Sequence, residues 1–250
     1  MRPPQYSPSR LQVYQTCPRQ FYYQYVRKMP RRPWANQSFG VSLHRTLHRL
    51  HAEGGPEAKS LSEAERQLEA SWMSAGYDSP EQERSELARG KELLSAYYET
   101  WSGVEGEPIL LEKRLSAPFR GSVLLGILDR VDRHADGSLE ILDYKSGRAP
   151  ETVRRETVQQ LSIYHYLVEQ KLHETPVRHT VHYLASNVRV TLPLTADHVA
   201  AVLEAAHETI RTLEADHRFE PRVAAHCGSC DYQNACPVGR RWAEEASEQA

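Results

Sequence analysis

The sequence contains no run approaching the roughly 20 apolar residues that cross a bilayer, and its start, MRPPQYSPSR, lacks the apolar core of a secretory signal. A cytoplasmic protein without membrane partners is therefore expected. Internal repeats and low-complexity linkers are also missing, which excludes solenoids and extended disordered tracts. No GxxxxGK[ST] segment occurs, so this sequence carries no nucleotide-driven motor of its own. An excess of one charge is absent too: 31 Lys and Arg stand against 33 Asp and Glu, a formal net charge of -2. That excludes a protein holding nucleic acid by bulk charge, but not one with a local basic track. What is present is a globular composition, 40% hydrophobic and 26% charged over 250 residues, long enough to bury a core without staples.

Residues 10 to 32 supply one candidate track. Arg10, Arg19, Arg27, Lys28, Arg31 and Arg32 alternate with Phe21, Tyr22, Tyr23 and Tyr25, a mixture that suits phosphates and stacked bases or, equally, a solvated helix with an aromatic core side. In SFGVSLHRTLHRLHAEG, Leu43, Leu47 and Leu50 form an apolar helical stripe, with His44, His48 and His51 one position round. Residues 61 to 75 and 82 to 101 read as two more amphipathic helices. The period then changes. ILLEKRLSAPF, SVLLGILDRVDRH and SLEILDYKSG are strand-like, the last two joined at His134 to Gly137. A helix over about 153–171, two short strands split at Ser186 and Asn187, a long helix over about 196–215 and a cysteine-rich tail complete the order. The pattern is that of an α/β protein with a central sheet flanked by helices.

Asp129 closes the apolar run Val123 to Leu128, and Asp143-Tyr144-Lys145 closes the next. Alternation puts Asp143 and Lys145 on one strand face and Tyr144 on the other. Two carboxylates and a lysine in one patch suit Mg2+ or Mn2+ with an ammonium beside an attacking water, or else simple strand-end ion pairs. If both acids end their strands, bringing them together requires a bend or a stagger in the hairpin. His44 and His48 have H-x-x-x-H spacing, but Arg45 stands where a metalloprotease places its glutamate.

GILDRVDRHADGSLEILDYKSG followed by QQLSIYHYL resembles the signature of the RecB-like PD-(D/E)XK nucleases: Gly126 to Asp129, Asp143 to Lys145, and Gln160 with Tyr164 four residues on. Gly40 to His44 is similar to the helix that gives this family a histidine ligand. The resemblance implies a restriction-endonuclease-like core and a metal-dependent deoxyribonuclease, expected to be an exonuclease on single-stranded DNA or DNA ends in repair or recombination. It further implies that His44, Asp129, Asp143 and the Tyr144 carbonyl bind the ion, that Lys145 activates water, and that Gln160 and Tyr164 face the same patch. The expected organisation is a single domain over residues 1–250. Within it lie a helical part at 1–105 with Cys17 and His44, a nuclease core at 106–215 and a cysteine-rich tail at 216–250. A CRISPR-associated nuclease preparing DNA ends for spacer acquisition and an inactive DNA-binding module are the alternatives. A helicase or a CRISPR integrase would come from another chain.

All four cysteines fall in two places: Cys17 in QTCPRQFYY, and Cys227, Cys230 and Cys236 in HCGSCDYQNACP. Paired thiols in a cytoplasmic chain of this size suit a shared metal better than disulfides, and spacing leaves zinc and an iron-sulfur cluster both open. The arrangement resembles the iron-sulfur nucleases, namely the AddB nuclease domain and the CRISPR-associated adaptation nucleases. That resemblance implies a 4Fe-4S cluster tying the first helix to the last segment.

Overall fold

A computed structural model describes residues 3–101 and 106–248. Its contacts divide the chain into two compact units, one formed by 1–5 with 33–203 and the other by 6–32 with 204–250.

The first unit is built on a mixed sheet. After the short strand β1 (Gln5–Tyr6), the sheet takes β2 (Gly106–Phe119), β3 (Ser122–His134), β4 (Leu139–Lys145), β5 (Arg178–Tyr183) and β6 (Val188–Thr191), in the order β1-β3-β4-β5-β6 with β2 also paired to β3. Strands β2, β3 and β4 run antiparallel in succession, and helix α6 (Arg155–Leu172) returns the chain so that β5 lies parallel to β4. Such a crossover needs a helix, whereas β2 and β3 close on two residues, Arg120 and Gly121, both with positive φ as a tight hairpin demands. Strand β4 reads LEILDYK and is buried at every position but its last, because elements cover both of its faces.

Helices α3 (Ala35–Ala52), α4 (Leu61–Ser71) and α5 (Pro80–Glu99) pack one face of this sheet. A capping box between Ser60 and Glu63 starts α4, and the Ser79 hydroxyl followed by Pro80 starts α5. The predicted stripe of α3 is fully interior: Leu43, Leu47 and Leu50 join Leu68 and Leu94 in one core with Leu142 and Tyr144 of β4. The expected mixed α/β architecture, a central sheet flanked by helices, is the observed one.

The second unit holds α1 (Pro8–Thr16), α2 (Pro18–Phe21) continued by a wide turn over Tyr22–Val26, and α8 (Pro237–Glu248), together with the larger part of α7 (Ala196–Ala215). Its interior uses the aromatics of the basic segment. Phe21 is buried and stacks on Phe219, while the Arg10 guanidinium lies 4.9 Å from the Tyr25 ring centroid. The tyrosine rings of this segment are half-buried, and Arg27 and Lys28 remain exposed.

Candidate active site

The β3–β4 ladder runs from Arg133 opposite Leu139 to Arg130 opposite Leu142, so Asp129 and Asp143 are the next positions along it. Neither a bend nor a stagger is needed, contrary to the expectation from the sequence. Hydrogen bonds carry β3 on to His134, which places Asp129 in mid-strand at the same distance from the turn as Asp143. Glu112, which the sequence reading passed over, joins them from the other side. Leu111 faces Arg130 and Lys113 faces Leu128, so Glu112 falls opposite Asp129. Counting back from the Arg120-Gly121 turn would have found it. Its φ of 43° is a left-handed conformation inside a strand, costing about 1–3 kcal/mol, and such strain collects at functional sites.

Helix α3 brings His44 to this row. Its Nδ1 lies 3.0 Å from Asp129 Oδ1 and 3.8 Å from Glu112 Oε1, and one ligand atom each from His44, Glu112 and Asp129 lie within 4.8 Å of one another. Burial disfavours a charged imidazole here, but the hydrogen bond to Asp129 and the nearby Glu112 carboxylate outweigh it and push His44 up to about 10. The carboxylates thus hold a proton at the place where a divalent cation would compete for them. Asp129 Oδ2 accepts the Tyr144 N–H at 2.8 Å, which fixes the second oxygen of that carboxylate.

Asp143 is 2% exposed. Burial, and then the charge of Asp129, raise its carboxyl to about 6 against the pull of Lys145 and His44. Its Oδ1 accepts from Gln160 Nε2 at 3.0 Å. Its Oδ2 lies 2.8 Å from Lys145 Nζ, an ionic contact without hydrogen-bond alignment, and receives no hydrogen bond from the described residues. A buried carboxylate oxygen in that condition suits a hard cation. The grouped ligand atoms of His44, Glu112 and Asp129 could hold a divalent cation beside it.

Gln160 binds the pair together from α6. Its Oε1 accepts from Lys145 Nζ at 2.9 Å, while its Nε2 donates to Asp143 and to the Tyr164 hydroxyl, 2.9 Å away. Tyr164 in turn donates to the Ile127 carbonyl at 2.7 Å. The glycine of the Gly126 to Asp129 motif now has a reason: a Cβ at 126 would lie 2.6 Å from Tyr164 Cε1. Gln160 thus touches the Asp143–Lys145 pair rather than the His44–Glu112–Asp129 group, while Tyr164 bonds Gln160 and the Ile127 carbonyl. His51 belongs to a separate buried cluster behind β3 and β4.

In the second unit, Cys17, Cys227, Cys230 and Cys236 line a single cavity with Tyr23 and Tyr232, and all four are free thiols. Cys17 joins α1 to α2, and the other three lie in and beside short turns at Ala225–Ser229 and Gln233–Ala235. Burial pushes the Cys230 thiol up, opposed by a backbone N–H from Tyr232. The four thiols share this lining, whereas the group of described ligand atoms close enough to share one ion, His44, Glu112 and Asp129, contains no cysteine.

Among the described residues no helix is long and apolar enough to cross a membrane. No curated protein sequence matches the chain. Among solved structures, an Eubacterium rectale protein described provisionally as an exonuclease aligns over 90% of this chain and 86% of its own length, with 10% identity and a TM-score of 0.53. A second, described as SSO0001, aligns over 94% of this chain and 86% of its own length, with 16% identity and a TM-score of 0.45. At these identities the likeness is one of fold. The family model for the PD-(D/E)XK nuclease superfamily matches residues 5–237, and the chain belongs to that superfamily.

Proposed function

We propose that the protein is a divalent-metal-dependent deoxyribonuclease that hydrolyses phosphodiester bonds, acting as an exonuclease on single-stranded DNA or DNA ends in repair or recombination. The observation that carries this reading is the convergence of Glu112, Asp129 and Asp143 at adjacent cross-strand positions, with His44 above them and Lys145 beside Asp143. His44, Glu112, Asp129, Asp143 and the Tyr144 carbonyl would hold Mg2+ or Mn2+. When bound, the ion would supply Lewis-acid stabilisation of the charge that builds on phosphate. Lys145, tethered by Gln160, orients the attacking water and offers positive charge to the transition state. Gln160 and Tyr164 keep Lys145 and Asp143 in register with each other. The provisional description of the E. rectale relative agrees with exonuclease action.

In this reading the four thiols hold a 4Fe-4S cluster, with zinc as the lesser fit, and the cluster ties the first helices to the last segment. Arg27 and Lys28 would meet the DNA backbone. A helicase or a CRISPR integrase, if one is used, would be a separate chain. The test is digestion of end-labelled single-stranded and duplex DNA with Mn2+ or Mg2+. Metal-dependent shortening from an end is expected. Intact substrate under every metal condition would leave the reading of an inactive DNA-binding module.

A further inference from the structure

A second buried polar cluster lies behind the carboxylates, and hydrolysis makes no direct use of it. Alternation along β3 and β4 sends Asp129 and Asp143 to one side and Arg130 and Tyr144 to the other. Arg130 is 3% exposed; its Nε donates to Asp132 Oδ1 at 2.6 Å and its Nη1 stands 3.0 Å from His51 Nδ1. A guanidinium only donates, so His51 must offer a lone pair, and burial followed by the Arg130 charge pushes that imidazole down to about 3. Neutral His51 meets the Tyr97 hydroxyl through Nε2 at 2.7 Å, and the Tyr97 and Tyr144 hydroxyls lie 3.4 Å apart. The Tyr144 ring is further enclosed by His182 and His44, with centroids 5.9 and 6.3 Å away.

Buried ion pairs are weak sources of stability, and apolar replacements often do as well. What this one supplies is a single orientation. We propose that Arg130, His51 and Tyr97 are positioning residues that lock Tyr144, and through it the strand segment whose N–H anchors Asp129 and whose carbonyl and neighbour Asp143 would hold the ion. This rests on the metal-site reading above. Tyr144 touches both sets: its main chain bonds Asp129 and its side chain ends the Arg130–His51–Tyr97 chain.

The test is calorimetric titration of Mn2+ into Tyr97→Phe and His51→Gln, with Leu68→Val as a fully buried control outside the cluster and Asp143→Asn as a control on the site itself. Tyr97→Phe keeps the ring and loses one oxygen, so it answers the question even if His51→Gln does not fold. Positioning predicts Mn2+ binding weakened about 10-fold in the cluster variants and unchanged in Leu68→Val, with cleavage recovered at saturating Mn2+. Parent-like Mn2+ affinity in folded Tyr97→Phe, or an equal loss in Leu68→Val, overturns the positioning role. Normal Mn2+ binding by Asp143→Asn overturns the site reading, and the positioning role with it.

Discussion

The two units fix their candidate ligands by different means. In the first, Glu112, Asp129 and Asp143 occupy successive cross-strand positions, so backbone hydrogen bonds set their spacing, and α3 and α6 add His44 and Gln160 from rigid helices. In the second, the cysteines sit at a helix junction and on short turns. Single side-chain contacts hold the segments around them: Tyr14 to Asp216, Tyr23 to the Ala235 carbonyl, and Arg31 to Asp231. A sheet-borne site is ordered before its ion arrives. A turn-borne one owes much of its order to what it binds.

This contrast can be broken in descending steps. The largest expected effect is on cleavage: Asp129→Ala should lower it on the order of 1000-fold, while the thermal transition falls only modestly, because the Tyr144 N–H loses its acceptor but the β3–β4 ladder is kept. Parent-like cleavage would remove Asp129 from the site. In the second unit the opposite pattern is expected. The parent should be brown, with broad absorbance on the order of 400 nm, and Cys17→Ser should lose colour and solubility before it loses intrinsic chemistry. Colourless, anaerobically prepared parent carrying stoichiometric zinc would contradict the cluster.

Gly126→Ala sharpens the first half of the comparison. The added methyl meets the Tyr164 ring, so about 1–3 kcal/mol of stability should be lost, and cleavage should fall as Gln160 loses its partner. Denaturant unfolding beside a cleavage assay checks both, and an unchanged variant would show that the ring moves aside freely.

The smallest effect is a pH dependence confined to the first unit. His165 Nδ1 and His179 Nε2 lie 2.8 Å apart in the interior between α6 and β5, and burial pushes His179 down from 6.5 to about 4. A folded pKa below the unfolded one means that the unfolded chain binds the proton more readily. Stability is therefore full above about 6.5 and is lost as pH falls toward about 4, by about 2 kcal/mol at about pH 5. Urea midpoints at neutral and mildly acidic pH should show this in the parent and less of it in His179→Gln. An equal slope in both would place the acid sensitivity elsewhere.

Much of the site was legible in the sequence because the residues that carry it sit on strongly patterned elements. The run SVLLGILDRVDRH is β3 from end to end, and the long helix expected over about 196–215 is α7. The adjacency of Asp129 and Asp143 was obscured by chemistry. Arg130 and Asp132 look like surface charges, which made the apolar run seem to end at Asp129, whereas they are a buried pair inside the strand. Glu112 was hidden for a similar reason, as one acid in the mixed run LEKRL whose partner is visible only once the hairpin register is counted. The rings of residues 21 to 25 show the reverse: in a pattern suited to stacked bases, Phe21 goes to the interior of the second unit and the three tyrosines are half-buried.

In the proposed site Asp143 would hold the ion, whereas Lys145 would act on the water and the transition state. Mn2+ titration of Asp143→Ala and Lys145→Ala, each followed by its cleavage rate, separates the two. Asp143→Ala is expected to lose Mn2+ affinity, while Lys145→Ala should bind Mn2+ as well as the parent or better, since a positive neighbour has gone, yet cleave about 100- to 1000-fold more slowly. Normal Mn2+ binding by Asp143→Ala, or parent-rate cleavage by Lys145→Ala, would contradict these roles.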